Sequence, residues 1–240
     1  MSEAALGRRA ELADRLGLVR ARIAAACAQA GRCVDDVTLV AVTKTFPATD
    51  VALLASLGVT DVGEARHPEA RDKRAASGAD LVWHFVGAVQ TNKAAAIAAY
   101  SDVVQSVDRP RLITALERGA FGSGRALDVL VQVSLDPHGA QGVIGRRSGA
   151  DPADLAGLAE AVVGTEHLRL RGLMAVAPRT GDPGPAFERL AALAARLRAD
   201  HPGAAVLSAG MSGDLEQAVA AGATHVRVGR AVLGERPLLQ

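Results

Sequence analysis

An α/β fold of the (β/α)8, TIM-type barrel class, with an extra N-terminal helix, is predicted for this chain of 240 residues. Three observations predict it. Eight short runs rich in β-branched residues alternate with amphipathic helical stretches, glycine or proline punctuates many of the joins, and the length suits one large domain. Strands separated by helices imply a parallel sheet, and eight is the number that closes such a sheet into a barrel. The expected organisation is a single domain over 1–240, made of a helical extension over 1–36 and the barrel over 37–236.

The extension comes first. From about Glu11 to Ala30, Leu12, Leu16, Val19, Ile23 and Ala26 recur at helical spacing among Arg and Asp. After Gly31 the texture changes. Strands are expected at Thr38–Val42, Thr60–Val62, Leu81–Val86, Asp102–Val107, Asp128–Val133, Arg169–Met174, Ala205–Leu207 and His225–Val228. Helices are expected between them at Asp50–Leu57, Pro68–Ala76, Asn92–Ala99, Arg111–Arg118, Asp154–Val163, Ala186–Ala199 and Asp214–Ala221, with joins at Gly58, Gly78, Gly119, Gly164, Pro202 and Gly222. The longest loop, Asp136–Gly149, reads as part of the same barrel. An open doubly wound sheet is the rival architecture. It announces itself by a glycine-rich turn after the first strand, where this chain has Thr43-Lys44-Thr45.

Composition narrows the function. Basic residues number 27 and acidic residues 26, so no broad field is available to grip a phosphate backbone. Aromatics are 2% of the chain, too few for base-stacking platforms, and nucleic acid is not an expected partner. Cys27 and Cys33 have neither C-x-x-C nor zinc-site spacing, and Cys27 sits in an Ala-rich stretch as a small apolar residue. Charges at Glu3, Arg8, Arg9, Glu11, Asp14 and Arg15 interrupt any signal-peptide core, and no apolar run is long enough for a bilayer. A cytoplasmic protein without a membrane partner is expected, as a monomer, with weak dimerisation left open.

Functional groups of such barrels gather at the C-terminal strand ends. Lys44 closes the largely apolar run Leu39–Thr43. A strand-end lysine ordinarily snorkels to solvent, but an apolar barrel mouth is also the setting in which a partly desolvated amine becomes a Schiff-base nucleophile. Gln90, Asn92 and Lys93 follow the third strand. The loop Ser208–Ser212 and the turn at Gly229 each open a helix with small residues, which suits an anion after strands seven and eight. Ser212 also reads as an ordinary N-cap. Arg227 interrupts an apolar strand, and two roles stay open: an ion pair with a carboxylate such as Glu64, or a hydrogen bond to a ligand ring nitrogen. Trp83-His84-Phe85 is either core or pocket lining. His67, His138, His167 and His201 read as surface residues, and Arg146-Arg147 as a solvated pair. No GxSxG, HExxH or Walker motif occurs.

Four stretches taken together, LVAVTKTFP, DVGEARHPEA, WHFVGAVQTNK and LSAGMSGDLEQAVAAGATHVRVGRAVLG, resemble the pyridoxal phosphate homeostasis protein family, a single-domain relative of the alanine racemase N-terminal barrel among fold type III pyridoxal 5′-phosphate (PLP) proteins. SVDR at Ser106–Arg109 and RGLMAV at Arg171–Val176 extend the similarity, which runs in order from about Thr38 to Gly234. The resemblance implies PLP as cofactor, held as an internal aldimine on Lys44. It places the phosphate at Ser212, Gly229 and Arg230, and the pyridine nitrogen before Arg227. With the neighbouring strand-end residues Met211, Ser208 and Asn92, these make up the expected cofactor-binding set, with no catalytic residue and no metal. The chain departs from the family pattern at Ala65 (usually Asn), Arg230 (usually Thr) and Ser134 (usually Asn). His138 and Gln141 stand where the next loop usually has Glu and Lys.

The function so implied is intracellular PLP homeostasis: a carrier or buffer without turnover that supplies PLP-dependent apoenzymes. Racemisation needs two bases on opposite faces of PLP. The only tyrosine, Tyr100, is remote in sequence from the mouth, and the chain is expected to lack the racemase's C-terminal β-domain. A low-activity PLP-dependent amino-acid racemase is the alternative, and a cofactor-free Schiff-base aldolase a third.

Overall fold

The computed structural model of the chain describes residues 3–136 and 149–235. His138, Gln141, Arg146 and Arg147 lie outside them. Eight strands, β1 (Thr38–Val42), β2 (Asp61–Glu64), β3 (Val82–Phe85), β4 (Val103–Val107), β5 (Leu127–Gln132), β6 (Leu168–Met174), β7 (Val206–Ser208) and β8 (His225–Val228), form one closed barrel in sequence order. Every neighbouring pair is parallel, including the closing pair β1–β8, where Val40 stands beside Arg227. The helices are α1 (Glu3–Gln29), α2 (Ala48–Ser56), α3 (Glu69–Ser77), α4 (Ala94–Ala98), α5 (Pro110–Ser123), α6 (Leu155–Val163), α7 (Gly184–Asp200), α8 (Leu215–Ala220) and α9 (Arg230–Leu233).

β1 and β8 have the expected bounds, and the other strands shift by one or two residues. α1 starts well before the expected Glu11. Its first turns are held by polar contacts, so apolar periodicity does not report them: Arg8 donates to Asp50 at 2.7 Å and to the Leu233 carbonyl at 2.9 Å. Farther along, Leu12, Leu16, Val19, Ile23, Ala26 and Cys27 are all buried against this same barrel, packing with β1, β8 and α8. Each such leucine contributes about 1.5–3 kcal/mol relative to exposure. The expected helix Asn92–Ala99 splits into a 3-10 turn, Thr91–Lys93, and the short α4.

Two apolar clusters lie between sheet and helices, one under α4–α7 and one under α1, α2 and α8. Val226 and Val228 pack in the second cluster, so the alternation along β8 turns His225 and Arg227 inward. Trp83 and Phe85 likewise pack outward, one in each cluster, leaving His84 inside. The Trp-His-Phe run is therefore both core and interior lining. Val40, Leu130 and Met174 are buried but belong to neither cluster; with His84, Gln105, Ser208 and Arg227 they fill the inside.

The expected surface histidines are more engaged than their sequence context suggests. His167 bonds Glu117 at 2.8 Å, and His67 stacks on Tyr100 with ring centroids 5.8 Å apart; both are half-buried, as is His201. No helix among the described residues is long and apolar enough to cross a membrane.

Candidate functional site at the barrel mouth

β1 delivers Lys44 half-buried to the rim, and the chain then turns sharply. Phe46 N–H donates to the Thr43 carbonyl at 3.1 Å, and Thr45 adopts φ of +73°, a left-handed conformation that β-branched residues rarely accept. Buried charges hold this turn. Lys73 of α3 is 6% exposed, and its Nζ donates to Glu64 Oε1 (2.5 Å), to the Thr43 carbonyl (2.8 Å) and to Glu69 Oε1 (3.1 Å). Thr43 Oγ1 also donates to Glu64 Oε1 at 2.6 Å, and the Thr45 N–H donates to Glu69 Oε1 at 2.7 Å. Burial raises the Glu64 carboxyl above its ordinary value despite its bonds to Lys73 and Thr43. Burial also acts against Glu69, but the Thr45 N–H and Lys73 outweigh it and its carboxyl is held low. Two buried oxygens beside the turn, Thr45 Oγ1 and Glu64 Oε2, have no hydrogen-bond partner among the described residues.

This network sorts the lysines. The chain has three, Lys44, Lys73 and Lys93. An ammonium has three N–H donors, and Lys73 uses all three on acceptors, which ties its nitrogen to the turn. Lys93 is exposed beyond β3. Lys44 is left as the lysine at the mouth.

Arg227 is the second anchor. It is 5% exposed, and Nη1 donates to Ser208 Oγ at 2.7 Å while Nη2 donates to the Ala175 carbonyl at 2.8 Å. The expected alternative of an ion pair with Glu64 is overturned: Glu64 is bonded to Lys73 and Thr43, on the β1–β2 side. Burial, partly offset by Asp214, brings the guanidinium down to about 10, so it stays charged near neutrality. Behind Ser208 lies a line of buried groups: Ser208 Oγ to Gln105 Oε1 (2.7 Å), Gln105 Nε2 to His84 Nδ1 (2.8 Å), and His84 Nε2 to Asp61 Oδ1 (2.8 Å).

The loop after β7 turns at Gly210, φ +91°, where a Cβ would come within 2.6 Å of the Ala218 Cβ; only glycine fits. The Arg227 N–H donates to the Gly210 carbonyl at 2.9 Å, which ties this loop to β8. Ser212 is not the helix N-cap. Asp214 takes that position, and its carboxylate accepts from the Met211 N–H at 2.6 Å. Ser212 is half-buried, and its carbonyl accepts from Arg22 at 3.0 Å. Gly229 opens α9 against β1: a Cβ there would approach the Val42 carbonyl to 3.3 Å. Arg230 and Met211 are exposed.

Of the expected set, the structure thus gathers Lys44, Ser208, Arg227 and Gly229 on the adjoining ends of β7, β8 and β1, with Met211, Ser212 and Arg230 on the loops above them. Asn92 is apart, exposed in the turn after β3. Ser208 is fully buried with its hydroxyl spent on Arg227 and Gln105, so it supports Arg227 from behind. Sequence reasoning did not find Lys73 or Asp61. Lys73 lies in a strongly charged stretch that looks like a surface helix, and its spacing of four from Glu69 was the one available signal.

Residues 18–237 match the family model described as alanine racemase, N-terminal domain. The pyridoxal phosphate homeostasis protein of Mycobacterium bovis is 43% identical over 248 residues, spanning 96% of this chain and 95% of that one. Its namesake from Escherichia coli is 36% identical over 233 residues, spanning 94% and 97%. Among solved structures, PipY of Synechococcus elongatus with PLP bound is similar with a TM-score of 0.79 at 33% identity, covering 93% of this chain and all of that one. An alanine racemase of Clostridium difficile, at TM-score 0.68 and 17% identity over 84% of this chain and 53% of that one, is alike in fold alone.

Proposed function

The chain belongs to the pyridoxal phosphate homeostasis protein family, and from that premise we propose that it binds PLP at the barrel mouth and holds it on Lys44 as a carrier, without turning over an amino acid. The observation that carries this is the state of the lysines: Lys73 is saturated, Lys93 is exposed in the turn after β3, and Lys44 stands half-buried at the end of β1. The proposed carrier is the whole chain as one unit, α1 included, because the buried face of α1 shares its core with β1 and β8.

The residues fit the cofactor. Arg227 is a buried cation with no carboxylate in its hydrogen bonds among the described residues, an arrangement that is expensive unless something specific faces it. Thr45 Oγ1, buried and without a hydrogen-bond partner among the described residues, marks the turn beside Lys44 as a place where a polar atom stays unsatisfied. Lys44 would attach the cofactor, the backbone and side chains of Ser212, Gly229 and Arg230 would take its phosphate, and Arg227 would meet its ring nitrogen. Bound PLP supplies an aldehyde for the lysine and a ring able to draw electrons from carbon. A charged Arg227 keeps the ring nitrogen unprotonated, which blunts that electron withdrawal and favours holding over turnover. The racemase alternative needs a second base. Tyr100 is the only tyrosine, its hydroxyl lies 3.3 Å from His67, and burial raises it above its ordinary value. Apoenzymes that require the cofactor are the proposed recipients, and the cytoplasm the proposed compartment.

The test is reduction with borohydride after loading with PLP, followed by peptide mapping. The label is expected on Lys44, and Lys44→Ala is expected to lose both label and visible absorption while unfolding within about 1 kcal/mol of wild type, since a half-exposed strand-end side chain contributes little packing. A label on Lys73 or Lys93 would overturn the assignment. Enzyme-rate Cα deuterium exchange into both enantiomers of an amino acid would overturn the carrier.

A further inference from the structure

We propose that Gln105 is a positioning residue for Arg227, the turning point of a one-way chain of hydrogen bonds that crosses the barrel interior and sets how the cofactor ring is read. The proposal rests on the function proposed above. Its groups are Arg227, Ser208, Gln105, His84 and Asp61, of which none is more than 8% exposed.

Chemistry fixes the direction of the chain. Arginine only donates, so at 2.7 Å Ser208 Oγ must accept from Arg227 Nη1. The single serine proton then has to go elsewhere, and the acceptor in reach is Gln105 Oε1 at 2.7 Å. That orients the amide. Its NH2 faces His84 Nδ1, which must accept and so carries no proton. The ring proton is therefore on Nε2, pointing at Asp61 Oδ1, and Thr60 Oγ1 donates to the other carboxylate oxygen at 2.7 Å.

With the amide reversed, Ser208 would face two donors with no acceptor for its own proton. A neutral His84 would have to turn Nδ1–H toward the amide oxygen, leaving a bare Nε2 against a carboxylate. One orientation satisfies every group, and in the buried interior the other would strand several.

The consequence reaches the mouth. Arg227 is oriented by two bonds, one to Ser208 and one to the Ala175 carbonyl. The second is fixed by the backbone. The first depends on Ser208 being a pure acceptor toward the guanidinium, and Gln105 Oε1 is what makes it so. A strand-four amide thereby decides the plane in which the remaining guanidinium N–H groups are offered to a ring nitrogen.

The experiment compares PLP with its ring-carbon analogue, in which C–H replaces the pyridine nitrogen, on wild type, Gln105→Met and Gln105→Glu. Wild type is expected to prefer PLP by about tenfold or more, the range of a hydrogen bond from a charged donor. Gln105→Met keeps the volume but removes the acceptor. It is expected to lose most of that preference through weaker PLP binding, with analogue affinity and label at Lys44 retained. Gln105→Glu keeps an acceptor for Ser208 and is expected to retain the preference, while its second oxygen draws a proton onto His84 Nδ1, visible in the imidazole nitrogen resonances.

A packing role for Gln105 predicts the reverse order, with Met tolerated and a buried Glu harmful. Full preference in Gln105→Met, or its loss in Gln105→Glu, overturns the proposal, as does a wild type that binds both ligands alike. In the last case a label on Lys44 leaves the carrier function standing, whereas absence of any label shows that the function itself has failed. The cofactor-free protein gives an independent reading, since a proton found on His84 Nδ1 rather than Nε2 refutes the chain of bonds whatever the ligand does.

Discussion

On the β1–β2 side of the mouth, Glu64, Lys73 and Glu69 gather around the backbone of Thr43 and Thr45; across the interior, Asp61, His84, Gln105 and Ser208 lead to Arg227 by single hydrogen bonds. The first group is charged, bends the chain into a left-handed residue and leaves two buried oxygens without partners. In the second, each bond is accounted for by one donor and one acceptor. A satisfied network is rigid, while unsatisfied atoms and backbone strain persist where the surroundings impose them, often at functional positions. The contrast matches the proposed tasks: the turn that carries Lys44 accommodates bond formation and release, and the line behind Arg227 keeps a cation still.

The charged side should break hardest. Lys73→Met leaves Glu64, 1% exposed, with its charge uncompensated, and is expected to cost about 3–5 kcal/mol in urea unfolding. Adding Glu64→Gln removes the stranded charge and is expected to restore most of that loss. A single variant costing less than about 1 kcal/mol would show that the pair is not a structural clamp.

Acid titration should separate the two sides by sign. Burial, with His84 and Arg227 nearby, lowers the half-buried His225 inside the barrel from 6.5 to about 4. A depressed histidine is protonated first in the unfolded chain, so its contribution is complete above 6.5 and is lost as pH falls through about 4; the shift corresponds to about 3 kcal/mol. Asp61 adds in the same direction: burial raises it, the bonds to His84 and Thr60 outweigh that, and its net lowering makes stability fall as it protonates. Glu64 works oppositely. Raised by burial, it gives stability that is complete below the ordinary carboxylate range and is lost as pH rises through its folded value. His225→Gln is expected to flatten the stability profile between pH 6.5 and 4 without moving its neutral end by more than about 1 kcal/mol. An unchanged acid slope would mean that other groups carry it.

The barrel was legible because it is written in periodicity. β-Branched runs alternate with helical stripes, and where both signals are present, as at β1 and β8, even the ends agree. The start of α1 was not, since Arg8 reaches Asp50 and Leu233, contacts that no local pattern encodes. Lys44, Arg227 and Gly229 could be found as polar or small residues closing apolar strands. The bonds behind them could not: Gln105 and Ser208 are 103 positions apart, and only barrel closure makes them neighbours. The same closure turned Arg227 away from Glu64, which sequence spacing alone left as a candidate partner.

The smallest expected effect lies at the strained residue itself. Thr45 sits at φ +73° with its hydroxyl buried and unpartnered among the described residues. A left-handed conformation costs a residue with a Cβ about 1–2 kcal/mol, and glycine forfeits about 0.5–1 kcal/mol of that relief through its freer unfolded chain. Thr45→Gly should therefore stabilise the protein by about 1 kcal/mol or less, read by urea unfolding. The same substitution loosens the turn next to Lys44 while keeping the N–H that Glu69 holds. Attachment of PLP, followed as borohydride-trappable label over time, should consequently slow even as the fold gains stability. A variant that is both less stable and undiminished in attachment would place the strain elsewhere, and the asymmetry between the two networks would then have no bearing on Lys44.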